Sequence, residues 1–177
     1  CDWSSDVCSS DLYCGWQIQP NGITIEEILN RQISKLTGED IRIIGASRTD
    51  SGVHALGNVA VFDTESRIPG DRFAYALNQK MPEDIVIVRS DEVQIDWHPR
   101  YQNEISKTYE YHIYNAKVRN PLKNRYSTFV SFDLDVEKMR QGAKYILGEH
   151  DFASFCNVRT NAKDTVRTVH EITIKEI

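Results

Sequence analysis

The chain has no long apolar run, so nothing in it is a candidate membrane span, and no charged start followed by an apolar stretch marks a secretory leader. Its four cysteines, Cys1, Cys8, Cys14 and Cys156, form no CxxC pair and have no histidine at metal-ligand spacing, so neither a zinc site nor a disulfide framework is expected. Isolated thiols fit a reducing cytoplasm. Positive charge is also short, at 21 Lys and Arg against 26 Asp and Glu; a net charge of −5 argues against a wholly basic nucleic-acid coat.

What is present is a chain of 177 residues with 40% apolar content, enough for one domain or two small packed ones. Charge is unevenly spread. From His98 to Ser127, Arg100, Lys107, Lys117, Arg119, Lys123 and Arg125 face only Glu104 and Glu110, leaving this segment at +4 and the remainder at −9. A basic strip on an acidic body follows if the fold keeps these side chains together; ordinary solvated lysines are the alternative. The opening twelve residues, CDWSSDVCSSDL, contain a near-duplicate and neither a strand's alternation nor a helix's period. They read as a non-native leader and are set outside the fold.

Beyond the leader, Ile25, Ile28, Leu29, Ile33 and Leu36 form one helical stripe, with Thr24 and Glu27 as a capping box and Gly38 as a C-terminal cap. IRIIGAS (41–47) and LGNVAVFDT (56–64) predict two strands around a loop. GDRFAYALNQKM (70–81) predicts a helix burying Phe73, Ala74, Leu77 and Met81, and DIVIVRSDEV (84–93) a strand. KTYEYHIYN (107–115) alternates strictly, DVEKMRQGAKYILG predicts a helix with Val136, Met139, Ala143, Ile146 and Leu147 inward, and VHEITIKEI (169–177) is another alternating strand. That strand reaches Ile177 without a turn, as in a chain truncated there. The expected fold is α+β: two similar subdomains, 13–95 and 96–177, with helices on one face of a largely antiparallel sheet and a cleft between them.

The loop between the first two strands is RTDSGVHA, Arg48 to Ala55. An Asp-Ser-Gly turn invites comparison with aspartic proteases, but Arg48 and Thr49 replace the apolar residues expected before the acid. A second such turn is missing, and a cation would spoil a shared proton. A lone acid that stays ionised suits a nucleophile instead. Gly52 permits a sharp turn, Arg48 suits either the carboxylate or a phosphate, and His54 either contacts phosphate or ribose or is a hydrogen-bonded structural residue. The plain alternative for Asp50 is a turn-former bonding its own backbone.

RTDSGVHA resembles the signature of the tRNA pseudouridine synthase A family. GWQIQPN (15–21), ALNQKMPEDI (76–85), WHPRY (97–101), KTYEYHIYN (107–115) and LGEHDFASF (147–155) agree with it in order, so the resemblance runs from Tyr13 onward. It implies isomerisation of uridine to pseudouridine in the anticodon stem-loop of tRNA, without cofactor or metal, by a homodimer with no membrane association. The family's catalytic aspartate falls on Asp50, its base-stacking tyrosine on Tyr109, and its loop arginine on Arg48. His54 and Arg100 are further candidates for substrate contact. Attack at the sugar C1′, attack at the base C6 and assisted glycal formation all remain open for Asp50. Without the resemblance, core packing is the simplest role for Tyr109, as it is for Trp16 and Trp97. The family's opening strand and Tyr-Asp-Gly turn are missing before Tyr13, and a later strand, helix and basic residue have no counterpart here. The 177-residue chain is therefore expected to be poorly stable and nearly inactive alone. A non-catalytic RNA-binding module on the same scaffold is the alternative function.

Overall fold

The computed structural model describes residues 13–101, 106–156 and 164–177 in full and residues 2–6 by their backbone. The chain forms two compact units, Cys1–Glu110 and Tyr111–Ile177. The stretch from Asp96 to Glu110, assigned by sequence to the second subdomain, therefore belongs with the first unit.

In the first unit, helix α1 (Ile25–Thr37) is set by its own sequence. The Thr24 hydroxyl accepts the Glu27 N–H at 3.3 Å, and Gly38, at φ +78°, closes the last turn by donating to the Ser34 carbonyl at 2.9 Å. Its stripe of Ile25, Ile28, Leu29 and Ile33 is buried, with Leu36 packed beside it. The predicted helix over 70–81 is shorter: a 3₁₀ turn at Gly70–Arg72 leads into α2 (Phe73–Asn78). Phe73 and Leu77 are its buried residues, while Ala74 and Met81 pack at the core's margin. Phe62 meets Phe73 edge to face, ring centres 5.5 Å apart.

The helices pack with a four-stranded antiparallel sheet of β1 (Asp2–Asp6), β2 (Ile44–Gly45), β3 (Asn58–Val61) and β4 (Val86–Asp91), in the order β2-β3-β1-β4. Within the segment read as a leader, Asp2–Asp6 lies between β3 and β4, paired to both. Strand pairing uses main-chain groups, so a segment with poor strand composition can still fill a slot flanked by two partners. The strand predicted over 41–47 contracts to Ile44–Gly45 for a related reason. The Ile41 and Ile43 N–H groups donate to Ser34 Oγ and Asn30 Oδ1 on α1, both at 2.9 Å, rather than to a neighbouring strand. On β4 the Asn78 side chain brackets Ile87, donating to its carbonyl at 2.8 Å and accepting its N–H at 2.9 Å, which fastens α2 to the sheet.

The second unit holds β5 (Ile113–Asn115) parallel to β6 (Thr128–Val130), helix α3 (Val136–Lys144), and β7 (Gly148–Asp151) antiparallel to β8 (Val166–Val169). Short 3₁₀ turns lie at Pro121–Lys123 and Ala153–Phe155. Two expected strands change. Of the alternating run 107–115, the strand itself contracts to 113–115 against β6, and the closing strand shifts to 166–169, where β7 supplies hydrogen bonds. Residues 170–177 form no strand; instead the Arg140 guanidinium of α3 donates to the Ile174 carbonyl and pairs with Glu176 at 3.2 Å. The inward face expected of α3 is also corrected: Val136, Met139 and Ala143 are only half-buried, and Ile146 and Leu147 are exposed. Among the described residues from Tyr111 onward, none is buried.

Candidate active site

The loop from Ala46 to Gly57 connects β2 to β3 and carries three of the five sequence-predicted site residues. Its base is fixed by the sheet: Ala46 N–H donates to Val59 C=O at 2.7 Å, and the buried Asn58 amide donates to Ser47 C=O at 3.1 Å. At its tip Val53 N–H donates to Asp50 C=O at 3.1 Å, closing a four-residue turn. Gly52 sits at φ +84°, a conformation costly for any residue with a Cβ. Asp50, Ser51 and Gly52 are exposed at that turn, so the acid faces solvent rather than the core. Its backbone does form a turn, as the plain reading requires, but the turn bond is made by its carbonyl and leaves the carboxylate outside it.

Arg48 is exposed and His54 half-buried. Among the described residues no ion pair joins Arg48 to Asp50. Arg100 lies 55 positions from the end of β2, yet its Nε donates to the Gly45 carbonyl at 2.7 Å, bringing the WHPRY segment against the base of the loop. Beside it the His98 and Tyr101 rings stack with centres 4.5 Å apart, and His98 Nδ1 accepts the Arg100 N–H at 3.1 Å. Trp16 is buried over Gly45, where an added Cβ would stand 2.4 Å from the indole; Trp97 is half-buried. Trp16 fits the packing role expected of it.

Tyr109 is 86% exposed, which removes core packing as its role, and among the described residues no hydrogen bond or ring contact links it to the loop. The structure therefore gathers Arg48, Asp50, His54 and Arg100 around one loop and leaves Tyr109 outside that set. Of the basic strip, Lys117 pairs with Asp133 at 2.7 Å, the Arg119 guanidinium lies 5.2 Å from the Phe129 ring centre, and Lys123 Nζ lies 4.6 Å from that of Tyr114. The segment Gln102–Ile105, which holds Glu104, lies outside the described residues. No three His, Cys, Asp or Glu among the described residues are placed to hold a metal ion, and no described helix is long and apolar enough to cross a membrane.

A family profile described as tRNA pseudouridine synthase matches residues 13–102 and 143–177. The chain belongs to the tRNA pseudouridine synthase family. The matched segments contain Arg48, Asp50, His54 and Arg100; Tyr109 lies between them. Among curated relatives, "tRNA pseudouridine synthase A" of Acetivibrio thermocellus is 48% identical over 163 residues, 92% of this chain and 66% of that protein. "tRNA pseudouridine synthase A 2" of Clostridium perfringens is 47% identical over the same shares, and the Thermoanaerobacter sp. protein 43% identical over 93% and 67%. The chain thus spans about two thirds of the length of these relatives. This chain's mixed α and β elements, with small sheets that are antiparallel except for β5–β6, agree with the α+β class expected from sequence.

Contacts not foreseen from sequence tie the loop to the segment before α1. Trp16 N–H donates to Thr49 C=O at 3.0 Å, and Ser51 Oγ donates to Tyr13 C=O at 3.1 Å. The GWQIQPN motif was visible as a string, but its partner lies more than thirty positions away, and no local pattern identifies it.

Proposed function

We propose that this protein is a cofactor-free tRNA pseudouridine synthase of the anticodon stem-loop, with Asp50 as its nucleophile. The observation that carries the reading is an aspartate held at the exposed tip of a loop whose base is braced by the sheet, by Arg100 and by the segment before α1. A nucleophile needs that combination: a carboxylate open to substrate on a backbone that does not yield.

The reaction breaks the bond between the ribose C1′ and uracil N1, turns the base, and forms a C1′–C5 bond. The C5 proton is released and N1 gains one, so no net atom enters or leaves the nucleotide. A stacked uridine is out of reach, so it must be extruded at about a few kcal/mol. Tyr109, an exposed ring, recovers about 1–3 kcal/mol of that by stacking on a base. Arg48 and His54 contact the phosphate or ribose of the flipped nucleotide; without an ion pair to Asp50, Arg48 suits phosphate better than it suits the acid. Arg100 braces the loop through Gly45, and its remaining guanidinium donors suit the substrate backbone. The basic residues from Arg100 to Arg125 hold tRNA phosphates, an interaction that weakens steeply with salt. The family's expected assembly as a cytoplasmic homodimer belongs to this reading.

The test uses tRNA tritiated at uridine C5. The full gene product releases tritium; Asp50→Asn lowers release by at least about a thousandfold while tRNA affinity stays within about threefold, in keeping with loss of a reacting group. A non-catalytic RNA-binding module releases none, and Asp50→Asn then changes nothing.

A further inference from the structure

Residues Tyr13 to Trp16 grip the Asp50 loop at three successive positions. Trp16 N–H holds the Thr49 carbonyl at 3.0 Å, and the Ser51 hydroxyl holds the Tyr13 carbonyl at 3.1 Å. Between these bonds the loop backbone lies directly on Gly15. A Cβ there would stand 2.6 Å from Thr49 O, 3.1 Å from Ser51 N and 3.2 Å from the Asp50 carbonyl carbon, and Gly15 has φ +81°. Two independent reasons thus call for glycine: the backbone conformation and the space.

The other edge of the segment is fastened to the start of α1. Ile25 N–H donates to Gly15 C=O at 3.2 Å, Glu26 N–H donates to Trp16 C=O at 3.0 Å, and Cys14 N–H donates to Ile23 C=O at 2.8 Å. The segment is therefore a strap. One side engages a buried, doubly capped helix, and the other engages the residues immediately before and after Asp50.

We propose that Gly15 and Ser51 are positioning residues, fixing the Asp50 backbone to the frame of α1 and so setting where its carboxylate stands. The inference rests on the reading of Asp50 as nucleophile. Neither residue touches the reacting atoms in this scheme; each acts through the main chain of residues 49–51. Misplacing a catalytic group by about 1 Å costs on the order of a hundredfold in rate.

Three variants of the full gene product test this: Gly15→Ala, Ser51→Ala, and Ser51→Thr, which keeps the hydroxyl. Turnover by tritium release and tRNA affinity are read alongside amide hydrogen exchange. Ser51→Ala and Gly15→Ala are expected to lose about ten- to a hundredfold in turnover with tRNA affinity within twofold. The Trp16 and Val53 amides should exchange faster, while those of Leu29 and Ile33 in α1 remain as slow as before. Ser51→Thr should retain most of the turnover. If Gly15→Ala does not fold, the Ser51 pair decides. Turnover within twofold of wild type in Ser51→Ala overturns the proposal, as does a loss that Ser51→Thr shares or that tracks faster exchange throughout α1. A wild-type protein that releases no tritium sinks the reading of Asp50, and the positioning role with it. An active wild type with equally active variants sinks the strap alone.

Discussion

At the scale of single residues, sequence separation decides what could be read in advance. Arg48, Asp50 and His54 were legible as candidates because they share one contiguous string, and a single loop carries them together. The contact of Arg100 with Gly45 was not, since a guanidinium-to-carbonyl bond across 55 positions leaves no local trace. Arg100→Met is expected to loosen residues 98–101 and accelerate exchange of the Ala46 amide, while leaving the α1 amides unchanged. Burial sets the other residue-level contrast. Phe73 has no exposed surface, and Phe73→Ala should cost about 3–5 kcal/mol by chemical denaturation; Tyr75, two positions on and 72% exposed, should tolerate alanine within about 0.5 kcal/mol. The carboxylate of Asp151 accepts from the Thr165 hydroxyl at 2.5 Å and the Ala153 N–H at 2.9 Å; the first of these contributes most to holding it below the usual aspartate range. Because its folded value is the lower one, its stabilising effect is complete above the unfolded value and disappears as pH falls through the folded one. NMR titration of the Ala153 amide below about pH 4 should follow that loss.

At the scale of elements, helices were more legible than strands because their information is local. Thr24, the isoleucine stripe and Gly38 fix α1 within fifteen consecutive positions. Thr24→Ala should cost about 1 kcal/mol, and Gly38→Ala, forced into the left-handed region at φ +78°, about 1–2 kcal/mol, both by urea denaturation. The Asp135 carboxylate caps α3 by accepting the Lys138 N–H at 3.0 Å, which together with the Lys138 ammonium holds its carboxyl below the ordinary value. Protonation in acid should therefore fray the first turn of α3 before its last. Strands depend on partners. The runs 107–115 and 169–177 both alternate as strands should, yet strand pairing forms only where β6 and β7 lie alongside. Conversely, Asp2–Asp6 lacks strand composition and is paired on both edges.

At the scale of the molecule, the two units differ in what they bury. The first holds a core of isoleucine, phenylalanine and leucine contributed by both helices and the sheet; the second has no buried residue among those described. Slow amide exchange is accordingly expected in α1, β3 and β4, with rapid exchange through 111–156 and 164–177, because protection follows burial and hydrogen-bond shielding. Uniform protection across both units would contradict this. The indole of Trp16 lies against Gly45, at the root of the Asp50 loop, with its own amide on Thr49. That placement gives the loop an intrinsic optical reporter: displacement of the loop should hydrate this ring and red-shift its emission, so substrate docking can be followed in the unlabelled protein once the light from Trp3 and Trp97 is removed by Phe substitution.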